Sequence, residues 1–274
     1  VRHWPCGGRP AHQVELSRPS SRRKRGRAGS TEPTGNCLKG ENEVIISHRH
    51  KFIFIKTRKT AGTSIEIALS KICGDEDVIT SIAPEADAKK RRELSGRDAQ
   101  NVNIQTLWEV VGKEKRGGVT GKEIIPTGEF YNHMTAHEIR SAVPRVIWDN
   151  YFVFSCERNS FDLAISMYYF FNRLKTDKPP MNQWFQEFDE LSNWPSYTID
   201  DRLVTDYMLR FESLSLGLYE LSEFIGTEVS LPDYKAKSGI RSDFRPPREV
   251  LDEDAVSLIS ERCSKEIDFF GYSL

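Results

Sequence analysis

A short loop in the first third of the chain has the residue types of an anion-binding site. The sequence KTRKTAGTS, at residues 56–64, places the charge of Lys59 three positions before Gly62, where a backbone without a side chain can approach a phosphate. Backbone N–H groups at the start of a following helix would add to such a site. The candidate ligands are Arg58, Lys59, Thr60, Ala61, Gly62, Thr63 and Ser64. An ordinary strand-to-helix turn with an exposed lysine is the alternative interpretation.

This loop differs from the Walker A motif of ATP- and GTP-binding proteins. That motif, GxxxxGK[ST], has its lysine beside the Ser or Thr that binds Mg²⁺, whereas Lys59 precedes Gly62 here. No magnesium-binding pattern follows the loop, which weakens the interpretation of the protein as a kinase.

A second basic turn follows a second apolar segment, YFVFSC at residues 151–156. Arg158 comes just after it, and Ser166 lies eight residues further on, about two turns into the predicted helix. Ligands of open α/β sheets bind outside the carboxyl ends of the strands, where an arginine can hold a phosphate through two N–H bonds. We therefore expect both residues to bind an anion. A surface ion pair of Arg158 with Glu157 or Asp162 is the alternative.

Two histidines one helical turn apart are candidates for a general base. His133 and His137 lie in NHMTAHEIR, residues 132–140, between the two basic turns. Residues at i and i+4 share a helix face, so we expect only one of them to reach a cleft at the right depth. The alternative is that both are structural or surface histidines. The pattern HxxxHE is neither HExxH nor HxxEH and does not predict a zinc site.

The elements that must position these residues alternate between strand and helix. Residues 51–57 and 151–156 are short apolar runs, typical of buried parallel strands, and a helical spacing of apolar residues follows each. This alternation predicts an α/β fold with a central parallel sheet flanked by helices. We expect the polar residues 75–122 to be irregular or weakly helical.

The C-terminal part is predicted to be mainly helical. Aromatic residues after Asp177 anchor helices, and we include DYMLRFESL, residues 206–214, among the helical segments. The next helix ends at Gly226, and a last amphipathic helix covers about residues 252–267.

Length and composition exclude several classes of protein. The chain has 274 residues, enough for one large domain with its own core. Its net charge is −1, so its overall charge does not predict a nucleic-acid partner. No run of about twenty apolar residues predicts a membrane span. The five cysteines have no CxxC spacing and predict neither a zinc site nor a disulfide framework.

The N-terminal segment, residues 1–40, is predicted to be a disordered basic tail before a domain of residues 41–274. It is rich in Arg, Pro, Gly and Ser and lacks an apolar period. Its basic run at residues 22–27 could alternatively serve localisation or polyanion binding. Since the sequence begins with Val1, a signal peptide or membrane anchor upstream is left open. With such an anchor in a eukaryote we expect the Golgi lumen as the location, and otherwise the cytoplasm.

The two basic turns resemble the signatures of the sulfotransferases that use 3′-phosphoadenosine-5′-phosphosulfate (PAPS). The matching segments are FIKTRKTAGTS and RNSFDLAISMYYF, and the branch with heparan and dermatan 2-O-sulfotransferases and their bacterial and algal relatives is particularly similar. RFESL, KSGIR and FFGY add to a resemblance that runs from about Phe52 to the C-terminus. Arg58 and Ser160 depart from the pattern, since relatives often have proline at both positions.

The resemblance implies a P-loop-like three-layer sandwich and a role for each segment. In that family the first segment binds the 5′-phosphosulfate, which would involve residues 59–64, and the second holds the 3′-phosphate. The remaining cofactor ligands that it implies are Arg158, Ser166, Lys237, Ser238 and Arg241. The last three belong to a late basic loop that closes over the nucleotide in relatives, and a solvated loop is the alternative. His133 matches the position of the family's catalytic histidine.

The resemblance also implies transfer of a sulfuryl group from PAPS to a hydroxyl, with 3′-phosphoadenosine-5′-phosphate (PAP) as product and no metal. Lys59 would neutralise the leaving phosphate oxygen and His133 would take the acceptor proton. Relatives suggest a polysaccharide or oligosaccharide acceptor, and a small-molecule or protein acceptor is left open. The overall charge predicts no nucleic-acid partner. The alternatives are a nucleotide-dependent kinase of related topology, which would need magnesium, and a non-catalytic PAP-binding module.

Overall fold

Helices on a five-stranded central sheet make up the part of the chain that the computed structural model describes, residues 44–114, 125–131, 133–234 and 239–274. The strands are β1 (Ile45–Ser47), β2 (Phe52–Ile55), β3 (Val78–Ile79), β4 (Phe152–Glu157), β5 (Thr198–Ile199), β6 (Arg202–Leu203) and β7 (Tyr207–Arg210). The helices are α1 (Gly62–Ile72), α2 (Glu85–Ser95), α3 (Ile104–Glu114), α4 (Ala136–Ala142), α5 (Arg145–Asn150), α6 (Ser160–Phe171), α7 (Met181–Glu187), α8 (Trp194–Tyr197), α9 (Leu214–Ile225), α10 (Pro247–Val250), α11 (Glu253–Arg262) and α12 (Ser264–Phe270). The predicted tail, residues 1–40, lies outside the described residues.

The central sheet is mixed rather than parallel. Its order is β3-β1-β2-β4-β7, with β4 parallel to both β2 and β7 and β1 antiparallel to both β2 and β3. The prediction of a parallel sheet is therefore wrong at β1. The physical reason is the connection: only residues 48–51 join β1 to β2, and a parallel pair needs a crossover of a dozen residues or more.

The two faces of β2 carry separate parts of the core. Ile53 and Ile55 pack with apolar residues of α3, α4 and α5, whereas Phe52 and Phe54 pack with apolar residues of α1 and α9. All four side chains are fully buried. Because successive residues of a strand point to opposite faces, a continuous apolar run is what a strand covered on both sides requires. Helices therefore flank the sheet on both faces, as predicted.

Two of the sequence-based assignments are wrong. The polar residues 75–122, expected to be irregular or weakly helical, contain β3 and the two helices α2 and α3. Only Asp87, Ala88 and Arg91 of α2 are buried, too few to give an apolar period. Residues 207–210 of DYMLRFESL form β7 instead of a helix, because they pair with β4 through contacts distant in sequence.

The C-terminal helices agree with the prediction except in number. Helix α9 ends at Gly226, whose φ of 71° is in the left-handed region that favours glycine. The predicted last helix is two helices, α11 and α12, which meet at Cys263, and Asp252 caps α11 by accepting from Ala255 N–H. Within the described ranges, no helix is both long and apolar enough to cross a membrane.

Candidate functional site

The carboxyl ends of β2, β4 and β7 bring the two predicted basic turns together. These strands are parallel, with Ile55 opposite Ser155 and Glu157 opposite Arg210, so the chain leaves all three at one edge of the sheet. Arg158 Nη1 donates to the backbone carbonyl of Lys59 at 2.9 Å and so joins the two turns directly.

The first turn, residues 57–61, is called the anion loop below. Its backbone is strained, because Lys59 and Ala61 have φ angles of 59° and 62° without being glycine. The hydroxyls of Thr57 and Thr60 lie 2.8 Å apart, and Thr57 also donates to the carbonyl of Cys156 on β4. The loop is thus tied to the neighbouring strand.

The start of α1, directly after the anion loop, offers backbone donors. The first N–H groups of any helix have no acceptor within that helix. No side chain of the described residues caps α1 at Ala61, and its first turn carries no acidic residue. These groups belong to Gly62, Thr63 and Ser64, and together with the helix dipole they favour an anion at this point.

Lys56, which sequence reasoning did not select, lies beneath the anion loop. It is buried, and its Nζ is 2.9 Å from Glu66 Oε2 and 3.4 Å from Thr63 Oγ1. A Cβ added at Gly62 would lie 2.6 Å from Lys56 Cε, so the glycine leaves room for this lysine. The available signal was Glu66, a charged residue between the buried Ile65 and Ile67 of α1.

Lys59 turns towards α6. Its Nζ lies 4.1 Å from the centre of the Phe170 ring, within the range of a cation–π contact. Arg158 makes a similar contact at 4.0 Å with Phe211, which follows β7. Lys59 and Arg158 are therefore both held over aromatic rings at the edge where the strands end.

Arg158 and Arg241 share one carboxylate. Asp162 Oδ2 accepts from Arg158 Nε at 2.8 Å, and Asp162 Oδ1 pairs with Arg241 Nη1 at 2.5 Å. Burial raises the pKa of Asp162, but the two guanidinium groups lower it by more, so this pKa lies below its usual value. Ser166 lies one turn beyond Asp162 on α6 and is partly exposed. The structure thus brings Arg158 and Arg241 together at one carboxylate and also contains the ion pair of the alternative interpretation.

The three predicted cofactor ligands that remain are Arg58, Lys237 and Ser238. Arg58 contacts the segment after α7: its guanidinium pairs with Glu190 at 2.5 Å, and both of its backbone groups bond to Asn193. Lys237 and Ser238 lie outside the described residues.

His133 lies in the site, but it is not on a helix. Helix α4 begins at Ala136, and Thr135 caps it in a reciprocal capping box with Glu138. The expectation that His133 and His137 share a helix face is therefore wrong, because Thr135 caps the start of α4 and His133 lies before that start. His133 Nδ1 is 3.2 Å from the carbonyl of Lys56, at the end of β2, whereas His137 is exposed on α4.

A surface groove of about 810 Å³ lies elsewhere, along α9 and the residues after it. Its lining contains Glu223 and Glu228 and no lysine or arginine. This groove has the wrong charge for an anion, so the ends of β2, β4 and β7 remain the candidate site.

No group of three or more His, Cys, Asp or Glu in the described part of the chain could hold a metal ion. Searches of family models, curated proteins and solved structures each find no match for this chain. The chemistry of the site is therefore inferred from its own residues.

Proposed function

We propose that the protein is a sulfotransferase that takes a sulfuryl group from PAPS and transfers it to a hydroxyl, on a polysaccharide or oligosaccharide. One observation carries the proposal: the anion loop and the turn with Arg158 are in direct contact, through the Arg158 bond to Lys59. PAPS has anionic groups at both its 5′ and its 3′ positions, so it needs two neighbouring anion sites. The proposed fold is P-loop-like, with the anion loop in the place of the phosphate loop.

The residues present fit this ligand. The amides of Gly62, Thr63 and Ser64 and the charge of Lys59 would hold the 5′-phosphosulfate. The basic residues around Asp162 would hold the 3′-phosphate, since a guanidinium can give a phosphate two parallel N–H bonds. The ligands proposed for that end are Arg158, Ser166 and Arg241.

The proposed reaction is an in-line displacement. The acceptor oxygen forms a bond to sulfur while the bond from sulfur to the 5′-phosphate oxygen breaks, and PAP leaves. Lys59 stabilises the negative charge that grows on that phosphate oxygen. The acceptor proton passes to Nε2 of His133.

The test compares PAP with ATP by thermal unfolding. PAP at a hundred times its Kd should stabilise the protein by about 2.7 kcal/mol, and ATP should do so weakly because it lacks a 3′-phosphate. Equal stabilisation by both nucleotides that EDTA abolishes would indicate the kinase instead. PAP stabilisation without any sulfuryl transfer would indicate a non-catalytic PAP-binding module.

A pair of arginine variants makes the test specific. Arg158→Ala should weaken PAP binding by about 1.5 to 3 kcal/mol, the value of a hydrogen bond to a charged group. Arg145→Ala is a matched control, because Arg145 forms an ion pair with Asp149 at the same i,i+4 spacing but is exposed on α5. Equal PAP affinity in the two variants would leave Arg158 as a structural ion pair.

A further inference from the structure

Asn193, which lies between α7 and α8, forms hydrogen bonds to the anion loop. It is 1% exposed, and its Oδ1 accepts from the backbone N–H of Arg58 at 3.1 Å. Its Nδ2 donates to the backbone carbonyl of the same residue, also at 3.1 Å. One side chain therefore takes both backbone groups of Arg58, much as a neighbouring strand would.

The same amide contacts the second basic turn. Asn193 Nδ2 lies 3.4 Å from Glu157 Oε1, and this oxygen also accepts from the backbone N–H of Arg158 at 2.8 Å. Tyr197 donates to the other carboxyl oxygen of Glu157 at 2.6 Å. Asn193 thus connects the residue before Lys59 with the residue before Arg158.

The C-terminal helix α12 fixes Asn193 in place. Glu266 Oε1 accepts from Ser192 Oγ at 2.5 Å and from the backbone N–H of Trp194 at 2.9 Å. Glu266 is 1% exposed. Both sequence neighbours of Asn193 are therefore held by one buried carboxyl group, which leaves the asparagine little freedom to move.

We infer that Asn193 is a positioning residue, which holds the strained anion loop in register with the turn that carries Arg158. The loop needs such support, because Lys59 and Ala61 stay in the left-handed region only if the surroundings fix them. A loop that is ordered before the ligand arrives loses less conformational entropy on binding. This consequence for binding rests on the proposed function, whereas the effect on loop order does not.

The test uses Asn193→Ala in the full chain, with Gln100→Ala as control. Gln100 also donates from its amide to loop carbonyls, those of Gly74 and Asp77, but at the other edge of the sheet. In the unliganded protein, Asn193→Ala should speed hydrogen exchange at the amides of residues 58–61 by roughly tenfold or more, the value of two net hydrogen bonds. Its Kd for PAP should rise by a similar factor. The control should change neither.

Two readouts separate the inference from the proposed function. If wild-type protein does not bind PAP, the proposed function fails, while the exchange rates of the free protein still test Asn193. Unchanged exchange at residues 58–61 in folded Asn193→Ala would overturn the inference. If that variant does not fold, Asn193→Ser replaces it, since a single short hydroxyl cannot bond to both the N–H and the carbonyl of Arg58 as the amide does. Its exchange should be faster than wild type, and wild-type rates would overturn the inference.

Discussion

At the scale of single residues, the bond from His133 to Lys56 determines the form of the imidazole. A carbonyl oxygen only accepts, so the Nδ1 of His133 must be the donor in the 3.2 Å contact. In the neutral ring the proton then lies on Nδ1 and the lone pair on Nε2, which is the form that a general base needs. His133 is also held at the end of β2, one residue from the anion loop.

Replacing each histidine in turn tests this role. His133→Ala should lower turnover by at least about a hundredfold with little change in PAP affinity, because it removes the base and no phosphate ligand. His137→Ala is the control and should cost much less, since His137 is exposed on α4. Turnover is measured as PAP released from PAPS in the presence of an acceptor polysaccharide. A larger loss in His137→Ala would transfer the role to His137, and near-normal turnover in both would contradict a histidine base.

The charged residues of the site that follow directly after a predicted strand could be identified from the sequence. Residues whose hydrogen-bond partners are far away in the sequence could not. Lys59 and Arg158 could be found because each follows a short apolar run and precedes a helix. Asn193 could not, since the residue it holds is 135 positions away in the chain. Lys56 was assigned to the strand itself. The glycine at position 62 was recognised, but it was explained by the close approach of a phosphate, whereas in the structure it leaves room for Lys56.

At the scale of elements, the unit of β2, anion loop and α1 depends on a close contact between its two ends. The side chain of Lys56 leaves the end of β2 and passes the Cα of Gly62 to reach Glu66 on α1. The strand and the helix are thus linked by a buried ion pair under the loop. Breaking such a pair by removing or displacing one partner is costly, because a charge is left buried.

Gly62→Ala should therefore destabilise the fold by about 3 kcal/mol, through overpacking and displacement of Lys56. The new Cβ would lie 2.6 Å from Lys56 Cε and 2.7 Å from Lys56 Cγ, so the lysine has to move away from Glu66. The measurement is the free energy of unfolding from urea denaturation. Gly74→Ala is the control, since its Cβ would find no atom nearer than 3.6 Å. Similar stabilities for the two variants would show that Lys56 has room to adapt.

At the scale of the whole molecule, a buried polar network joins the sheet to the C-terminal helix. Glu157 ends β4, which lies between β2 and β7. Asn193 and Tyr197 connect Glu157 to the segment that Glu266 of α12 holds. The elements of this network were partly predictable, because β4 and the last helical region have clear apolar patterns. The network itself was not, since hydrogen bonds between residues 36 to 74 positions apart leave no period in the sequence.

The ionisation of Glu157 should therefore affect the stability of the whole fold. Burial raises its pKa from 4.5 to about 7, and the charge of Glu266 adds to the increase, whereas bonds from Tyr197, Arg158 N–H and Asn193 oppose it. The other titratable groups that interact with it are Cys156, Cys263 and Tyr272. Because the folded state binds this proton more tightly than the unfolded chain, the stabilisation is full below about pH 4.5 and is lost as the pH rises through about 7.

Glu157→Gln should remove this pH dependence. Glutamine can still accept from Arg158 N–H and Asn193 through its oxygen and can donate to the Tyr197 hydroxyl, so its contacts are retained without a charge. Relative to the variant, the wild-type protein should lose about 3 kcal/mol of unfolding free energy between about pH 5 and pH 8. Asp162, whose pKa is lowered, contributes a change of opposite sign that lies at more acidic pH. Urea denaturation across this range measures the difference, with Glu109→Gln at an exposed position of α3 as control. Parallel pH profiles for wild type and Glu157→Gln would mean that Glu157 stays ionised in the folded protein.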